Sequence, residues 1–202
     1  MATVTRASAT AGRRDAILRA ALQCFTERGY GATTMAQVGR RSGASIGSMY
    51  HHFGGKEQLA AALYVEGMHD YQRGAAAALA QSPGAEGGVR ALVRHHVAWV
   101  VEDPRRARFL LGSRPAEVAE ATAGPLRGMN RAFFRAVRAW LDPHVESGRI
   151  RGLPFEVHYA VLLGPSQELA RLWLAGRTDT DPESAAEHLA RAAWNAVKGD
   201  AP

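Results

Sequence analysis

With 202 residues, 47% of them hydrophobic, the chain has enough apolar material for one compact domain or two small ones, which argues against overall disorder. Its one cysteine, Cys24, can build neither an intrachain disulfide nor a structural zinc site by itself, so the chain reads as cytoplasmic. The formal net charge of +6 is concentrated in residues 1–56, where eight basic side chains face two acidic ones, while the 17 basic and 17 acidic residues beyond cancel.

A basic segment beside a neutral one suggests a polyanion partner for the first part alone. The plainer reading of the charge by itself is an arginine-rich solvated surface. No uncharged apolar run is long enough to span a membrane, so no membrane partner is expected.

No strand-type alternation runs far enough for a sheet, and the expected fold class is all-α. Residues 1–11 lack the apolar stretch of a secretion signal and read as a flexible arm. A first helix is expected over residues 12–28, with Ile17, Ala21, Cys24 and Phe25 on one side and Gly29 at its C-cap. Thr34 caps a short helix, and Gln37 completes a capping box. Ser42-Gly43-Ala44 makes a tight turn. Ser45 caps a second short helix carrying Ile46 to His51, and Phe53-Gly54-Gly55 breaks the chain before a long helix over residues 56–80.

Ser82-Pro83-Gly84 is a loop, followed by a helix over residues 86–102. Asp103-Pro104 supplies a cap and a first-turn proline for another short helix. Gly112 to Pro115 and Gly124-Pro125 punctuate the middle. A long helix is expected from residue 126, disturbed at Pro143. Pro154 opens a helix to about residue 176, with a kink at Gly164-Pro165. Asp181-Pro182 starts the last helix, which ends near Lys198.

The stretch from Tyr30 to Lys56 is a helix-turn-helix built to enter a DNA groove. Ser45, Gly47 and Ser48 are small enough to let the backbone approach base edges, and the hydroxyls can bond phosphates or bases. Ile46 sits at the leading edge, placed to touch a thymine methyl. Tyr50, His51 and His52 fall where donors meet phosphates on the groove walls. Thr33 and Thr34, at the N-terminus of the preceding helix, present backbone N–H groups to another phosphate. Lys56 supplies a charge to the phosphate beside it. Val38, Met49 and Phe53 read as packing residues. His51 and His52, adjacent on a helix, point in different directions and do not suggest a metal site. No metal and no cofactor are expected. Gly43-Ala44-Ser45-Ile46-Gly47 has GxSxG spacing but lies in a turn between two helices rather than after a strand, so it is no nucleophile elbow, and the chain carries no HExxH, P-loop or CxxC; it is not read as an enzyme.

Over Ile17 to Leu59 the chain resembles the DNA-binding region of the TetR family of bacterial transcriptional regulators. The matching elements are Ile17-Leu18, Ala20-Ala21-Leu22, Phe25, Glu27-Arg28-Gly29-Tyr30, Thr33-Thr34, Val38, Gly43, Ser45, Gly47, Tyr50-His51-His52-Phe53 and Lys56-Glu57-Gln58-Leu59. Their order and spacing hold without a gap. The resemblance implies an N-terminal three-helix DNA-binding unit, then an all-helical domain that dimerises and often binds a small effector. On that plan residues 1–11 are the arm, 12–55 the DNA-binding domain and 56–202 the ligand-binding and dimerisation domain. Gly39 departs from the alanine usual in the family, at roughly 1 kcal/mol inside a helix. Gly55 replaces the usual serine cap, at a few tenths of a kcal/mol.

The last two long helices are the expected dimer interface. Val161, Leu162, Leu169, Leu172 and Trp173 give the first an apolar face, and Ala186, Leu189, Ala193 and Val197 give the second a stripe at helical spacing. The alternative is that both stripes face the protomer's own core. In the family these two helices pair with their symmetry mates as a four-helix bundle. An effector pocket draws on Met68, Tyr71, Trp99, Phe109, Phe133, Phe134, Trp140, His158 and Tyr159, and an apolar cavity of that kind suits a hydrophobic or aromatic small molecule. His95-His96 and Arg105-Arg106-Arg108 read as solvated faces. The leading expectation is a homodimeric repressor on a palindromic operator in double-stranded DNA, released by that effector. An activator with the same DNA-binding mode, or a sequence-blind architectural DNA binder, are the alternatives.

Overall fold

The helices beginning at Met35, Ile46 and Pro182 each start behind a side chain that caps an unpaired backbone N–H: Thr34, Ser45 and Asp181. The computed structural model describes residues 2–200, with side chains described from residue 10 onward. Among these residues there are nine helices: α1 (Ala2–Arg28), α2 (Met35–Ser42), α3 (Ile46–Phe53), α4 (Lys56–Ala80), α5 (Gly84–Glu102), α6 (Pro104–Leu111), α7 (Ala116–Glu146), α8 (Phe155–Leu174) and α9 (Pro182–Val197). The only extended pairing among the described residues is an isolated antiparallel bridge between Ile150 and Lys198. No helix among them is long and apolar enough to cross a membrane.

Two expectations are corrected. α1 begins at Ala2, so the described part of the expected arm is helical and Gly12 lies inside the helix. That segment holds four alanines and no proline, and one interior glycine costs only about 1 kcal/mol. α7 runs unbroken through Gly124-Pro125 and Pro143, where a helix start and a disturbance were expected. Proline removes one N–H, but Gly124 and Pro125 are exposed, so water can serve the freed carbonyl.

The chain divides into two compact units, Met1–Met68 with Arg108–Leu126, and His69–Ala107 with Arg127–Pro202. α4 and α7 therefore contribute residues to both. The core of the first unit gathers Ile17, Leu18, Ala21, Cys24 and Phe25 of α1 around Val38, Met49, Phe53, Leu59, Ala60 and Val118. Each buried Val, Leu, Ile, Phe or Met among them stabilises by about 1.5–3 kcal/mol, the alanines by less. The second unit packs α5, α8 and α9 on one another around Leu79, Val89, Leu92, Val93, Leu141, Ile150, Leu162, Leu163, Ala190, Ala193 and Val197. The small alanines of α9 let its backbone come close to its neighbours.

This packing revises the expected dimer interface. Leu162, Ala186, Ala193 and Val197 are buried within the single protomer. The alanine stripe of α9 faces the protomer's own interior, leaving these four no surface to offer a second copy. Val161, Leu169, Leu172, Trp173 and Leu189 are only half-buried.

Candidate nucleic-acid interface

The α2–turn–α3 segment is fixed by short-range bonds the sequence specifies. The Thr34 hydroxyl accepts from the Gln37 N–H at 3.3 Å, and the Gln37 side chain accepts from the Thr34 N–H at 2.9 Å. Gly43 ends α2 with φ 68°, a left-handed conformation that side chains resist. The Ala44 N–H donates to the Ser42 hydroxyl at 3.2 Å, and Ser45 then caps α3 by accepting from the Ser48 N–H at 3.2 Å. Met35, Val38, Met49 and Phe53 bury the inner faces of the two helices against α1.

The same register turns the opposite face of α3 outward. Ile46 is 46% exposed and Tyr50 51%, one helical turn apart on one face. Ser45, Gly47 and His51 are also exposed, while Ser48 and His52 are half-buried. A single exposed apolar side chain is ordinary, but Ile46 and Tyr50 one turn apart make a contiguous apolar surface on a helix whose other outward residues are small or polar.

Two expected donors are corrected. The Thr33 side chain is 1% exposed, and its hydroxyl donates to the carbonyls of Cys24 at 3.1 Å and Gly29 at 2.8 Å. Its N–H reaches the Tyr30 carbonyl and that of Thr34 goes to Gln37. Thr33 thus ties α1 to α2 and offers nothing outward. The N–H groups of Met35 and Ala36, the first two of α2, make no bond among the described residues and are the ones able to take a phosphate.

Lys56 is half-buried. Its Nζ donates to the Tyr30 carbonyl at 3.1 Å and lies 4.4 Å above the Tyr30 ring centroid. An ammonium has three donors, so two remain for a phosphate.

Sequence reasoning passed over a basic cleft in this unit. Arg28, Arg40 and Arg41 converge with Cys24 and Gln37 around a cavity of about 260 Å³. Arg41 donates to Glu27 at 2.7 Å, which holds its guanidinium pKa above the usual value. The only signal available beforehand was the charge excess of residues 1–56.

In the second unit, five of the expected pocket residues come together. Phe133, Phe134, Trp140, His158 and Tyr159 line one cavity with Leu79, Leu92 and Leu163 among others, but it holds only about 30 Å³, room for about two waters. His158 Nε2 lies 2.9 Å from the Arg151 carbonyl, so it carries the proton and donates, and its buried Nδ1 has no partner.

The other expected pocket residues lie elsewhere. Tyr71 and Trp99 pack edge-to-face at 5.2 Å, and Trp99 lines a different cavity with Asp70, Glu102, Asp103 and Arg106. Phe109 belongs to the first unit, stacked on Phe25 at 5.9 Å. Met68 is half-buried and lines none of these cavities.

His96 was expected on a solvated face but is 2% exposed, bonded through Nδ1 to the Tyr71 hydroxyl at 3.0 Å. Burial pushes His96 down to about 4 and holds the Tyr71 phenol well above its usual range. Arg106 pairs with Asp70 at 3.3 Å and Asp103 at 3.4 Å. No group of three or more His, Cys, Asp or Glu among the described residues could hold a metal ion.

Residues 17–63 match the family described as bacterial regulatory proteins, tetR family. The chain is 30% identical over 154 residues to the HTH-type transcriptional repressor AcnR of Corynebacterium efficiens, an overlap of 74% of this chain and 75% of that one. It is 26% identical over 188 residues to the HTH-type transcriptional activator FasR of Mycolicibacterium smegmatis, across 92% and 83% of the two chains. Its fold matches the transcriptional regulator FadR from Bacillus subtilis, solved in complex with stearoyl-CoA, with a TM-score of 0.74 over 88% of this chain and 96% of that one. At 18% identity that likeness is one of fold alone.

Proposed function

We infer that this chain, which belongs to the TetR family of bacterial regulatory proteins, acts as a homodimeric repressor of a palindromic operator and is released by an apolar or aromatic small molecule. That it is a DNA-binding transcription regulator follows from the family itself. The observation that carries the finer reading is the outward face of α3, where Ile46 and Tyr50 stand beside Ser45 and Gly47 with no protein surface to cover them. Two such helices in successive major grooves require two copies, their centres about 34–36 Å apart. The half-buried Val161, Leu169, Leu172, Trp173 and Leu189 are the apolar surface available to join them. The protein would work in the cytoplasm, where its operator is.

The effector site proposed is the cavity lined by Phe133, Phe134, Trp140, His158 and Tyr159. Its small volume fits a regulator whose effector must open the second unit. A ligand binding only the opened form shifts the population by its preference for that form. His158 Nδ1 is a buried acceptor that such a ligand's hydroxyl or amide would satisfy. The FasR relative supports a second reading, an activator using the same face of α3.

Selection from a pool of random duplexes, followed by sequencing of the retained fraction, tests the reading. An enriched palindrome is the expected result. Retention without enrichment would replace it with architectural binding.

A further inference from the structure

The first unit contains a cavity of about 200 Å³ that the DNA-reading surface does not use. It lies among α1, α4, α6 and the start of α7, and Phe25, Tyr30, Tyr64 and Phe109 supply its aromatic walls. Phe25 and Phe109 stack with an interplanar angle of 14°, and Tyr64 meets the Phe109 ring edge-on at 6.4 Å. An apolar cavity of about 150 Å³ already admits benzene, so a ring carrying one further group fits here.

One wall is cationic. The Arg114 guanidinium lies 4.5 Å above the Tyr64 ring centroid, and its Nη1 donates to the Thr122 hydroxyl at 2.8 Å. Thr122 is fully buried, and its own hydroxyl donates to the Val118 carbonyl at 2.8 Å. Arg114 is thus positioned by a neutral partner, and no carboxylate among the described residues pairs with it. A planar cation fixed on an aromatic wall, with its remaining donors unused, suits a planar anion bound in two-pronged fashion.

We propose that this cavity is a second small-molecule site, taking a planar aromatic carboxylate of about the size of benzoate. The ring lies against Phe25, Phe109 and Tyr64, and the carboxylate accepts from Arg114. The site bears on DNA binding through Tyr30, whose ring lines the cavity and whose carbonyl accepts from Lys56 Nζ. Whatever the ligand does to DNA affinity, DNA does equally to ligand affinity. This site is separate from the second unit's cavity and does not rest on the effector proposed there.

Calorimetric titration of the full chain with benzoate, and with benzamide as its uncharged counterpart, tests the proposal. The expected result is one benzoate per chain and benzamide at least about tenfold weaker. Arg114→Gln should weaken benzoate about tenfold or more and leave benzamide unchanged. Should that variant not fold, Ser113→Trp, at an exposed position on the cavity's lip, should weaken both ligands. No benzoate heat at millimolar concentration, equal affinities for the two ligands, or indifference to both substitutions would overturn the proposal. A chain that enriches a palindrome yet binds no benzoate would lose this site and keep its reading as a regulator.

Discussion

Lys56 is bound twice to Tyr30, by a 3.1 Å hydrogen bond to the carbonyl and by its Nζ standing 4.4 Å over the ring. The contact joins the first residue of α4 to the turn that follows α1, and it holds the ammonium in one place. A charge already immobilised loses little further freedom on meeting a phosphate.

Lys56→Gln is therefore expected to weaken DNA binding on every sequence and to lower the slope of log K against log salt by about 0.9 per chain, about 1.8 for a dimer on its operator. Tyr30→Leu should weaken DNA binding less, because it removes only the ring beneath the ammonium and keeps both the charge and its bond to the backbone carbonyl. If Lys56→Gln lowers thermal stability alone and leaves the salt slope untouched, Lys56 serves only the fold.

Gly39 offers a test of propensity against packing. Helix propensity alone predicts that Gly39→Ala gains about 1 kcal/mol. A Cβ at that position would meet Met49 Cε at 2.9 Å and the Ala44 carbonyl oxygen at 3.1 Å. Met49 can yield, but the carbonyl belongs to the helix-turn-helix turn. Denaturant unfolding is expected to show no gain in stability for Gly39→Ala. A gain near 1 kcal/mol would mean that the turn relaxes freely.

His96 makes stability depend on pH in a defined window. Its folded pKa is about 4 against 6.5 for the unconstrained side chain, chiefly because burial penalises the cation and secondarily because His95 lies beside it. The Tyr71 ring packs against both histidines and, on its other contact, against Trp99. The folded state binds fewer protons than the unfolded one in this range, so the contribution is whole above about pH 6.5. It falls as the pH drops toward 4 and is constant below. The carboxylates of Glu168, Asp181 and Glu187 are held below their usual values of 4.5, 3.8 and 4.5 by Arg171, Ser184 and Arg94 respectively, so their contributions begin to fade only at the foot of this window and continue to fall below it. Stability against pH for His96→Gln should be flatter than for the parent between pH 6.5 and 4. An unchanged slope there would assign the acid sensitivity to other groups.

The surface left on α8 and α9 makes a prediction about assembly. Leu172→Ala combined with Trp173→Ala removes half-buried apolar area without touching the core of the second unit. Sedimentation should show the parent as a dimer and the double variant shifted toward monomer, with helicity retained. Val197→Ala, inside the core, should instead lower stability by about 2–3 kcal/mol in either state, two buried carbons plus the cavity they leave. A double variant still fully dimeric would place the interface elsewhere.

What the sequence displayed most clearly was chemistry confined to a few neighbouring residues. The reciprocal bonds of Thr34 and Gln37, the left-handed Gly43 and the Ser45 cap follow from side chains within three positions of one another. The bounds of α4 were legible because Gly54-Gly55 and Ser82-Pro83-Gly84 flank it. Less legible was whatever depends on which face of a helix meets which neighbour. The Ala186, Ala193 and Val197 stripe of α9 has the spacing of an interface and of a core alike, and only the positions of α5 and α8 decide between them. The hydroxyl of Thr33 could have gone to solvent until α1 supplied two carbonyls. Gly124-Pro125 carries a break signal that an exposed helix can absorb. The pairing of Arg114 with Tyr64 and Thr122 spans 50 residues on one side and 8 on the other, and no local pattern announces it.

The central claim is that the exposed face of α3 reads sequence as one half of a dimer. It is tested most directly by the affinities of the full chain for its selected palindrome and for a scrambled duplex of equal length, at about 0.15 M salt with stoichiometry determined. The account predicts a preference for the palindrome of at least about a thousandfold, two chains per duplex, and a marked loss of that preference in Ile46→Ala. Affinities within a few-fold of each other, or one chain per palindrome, would contradict it.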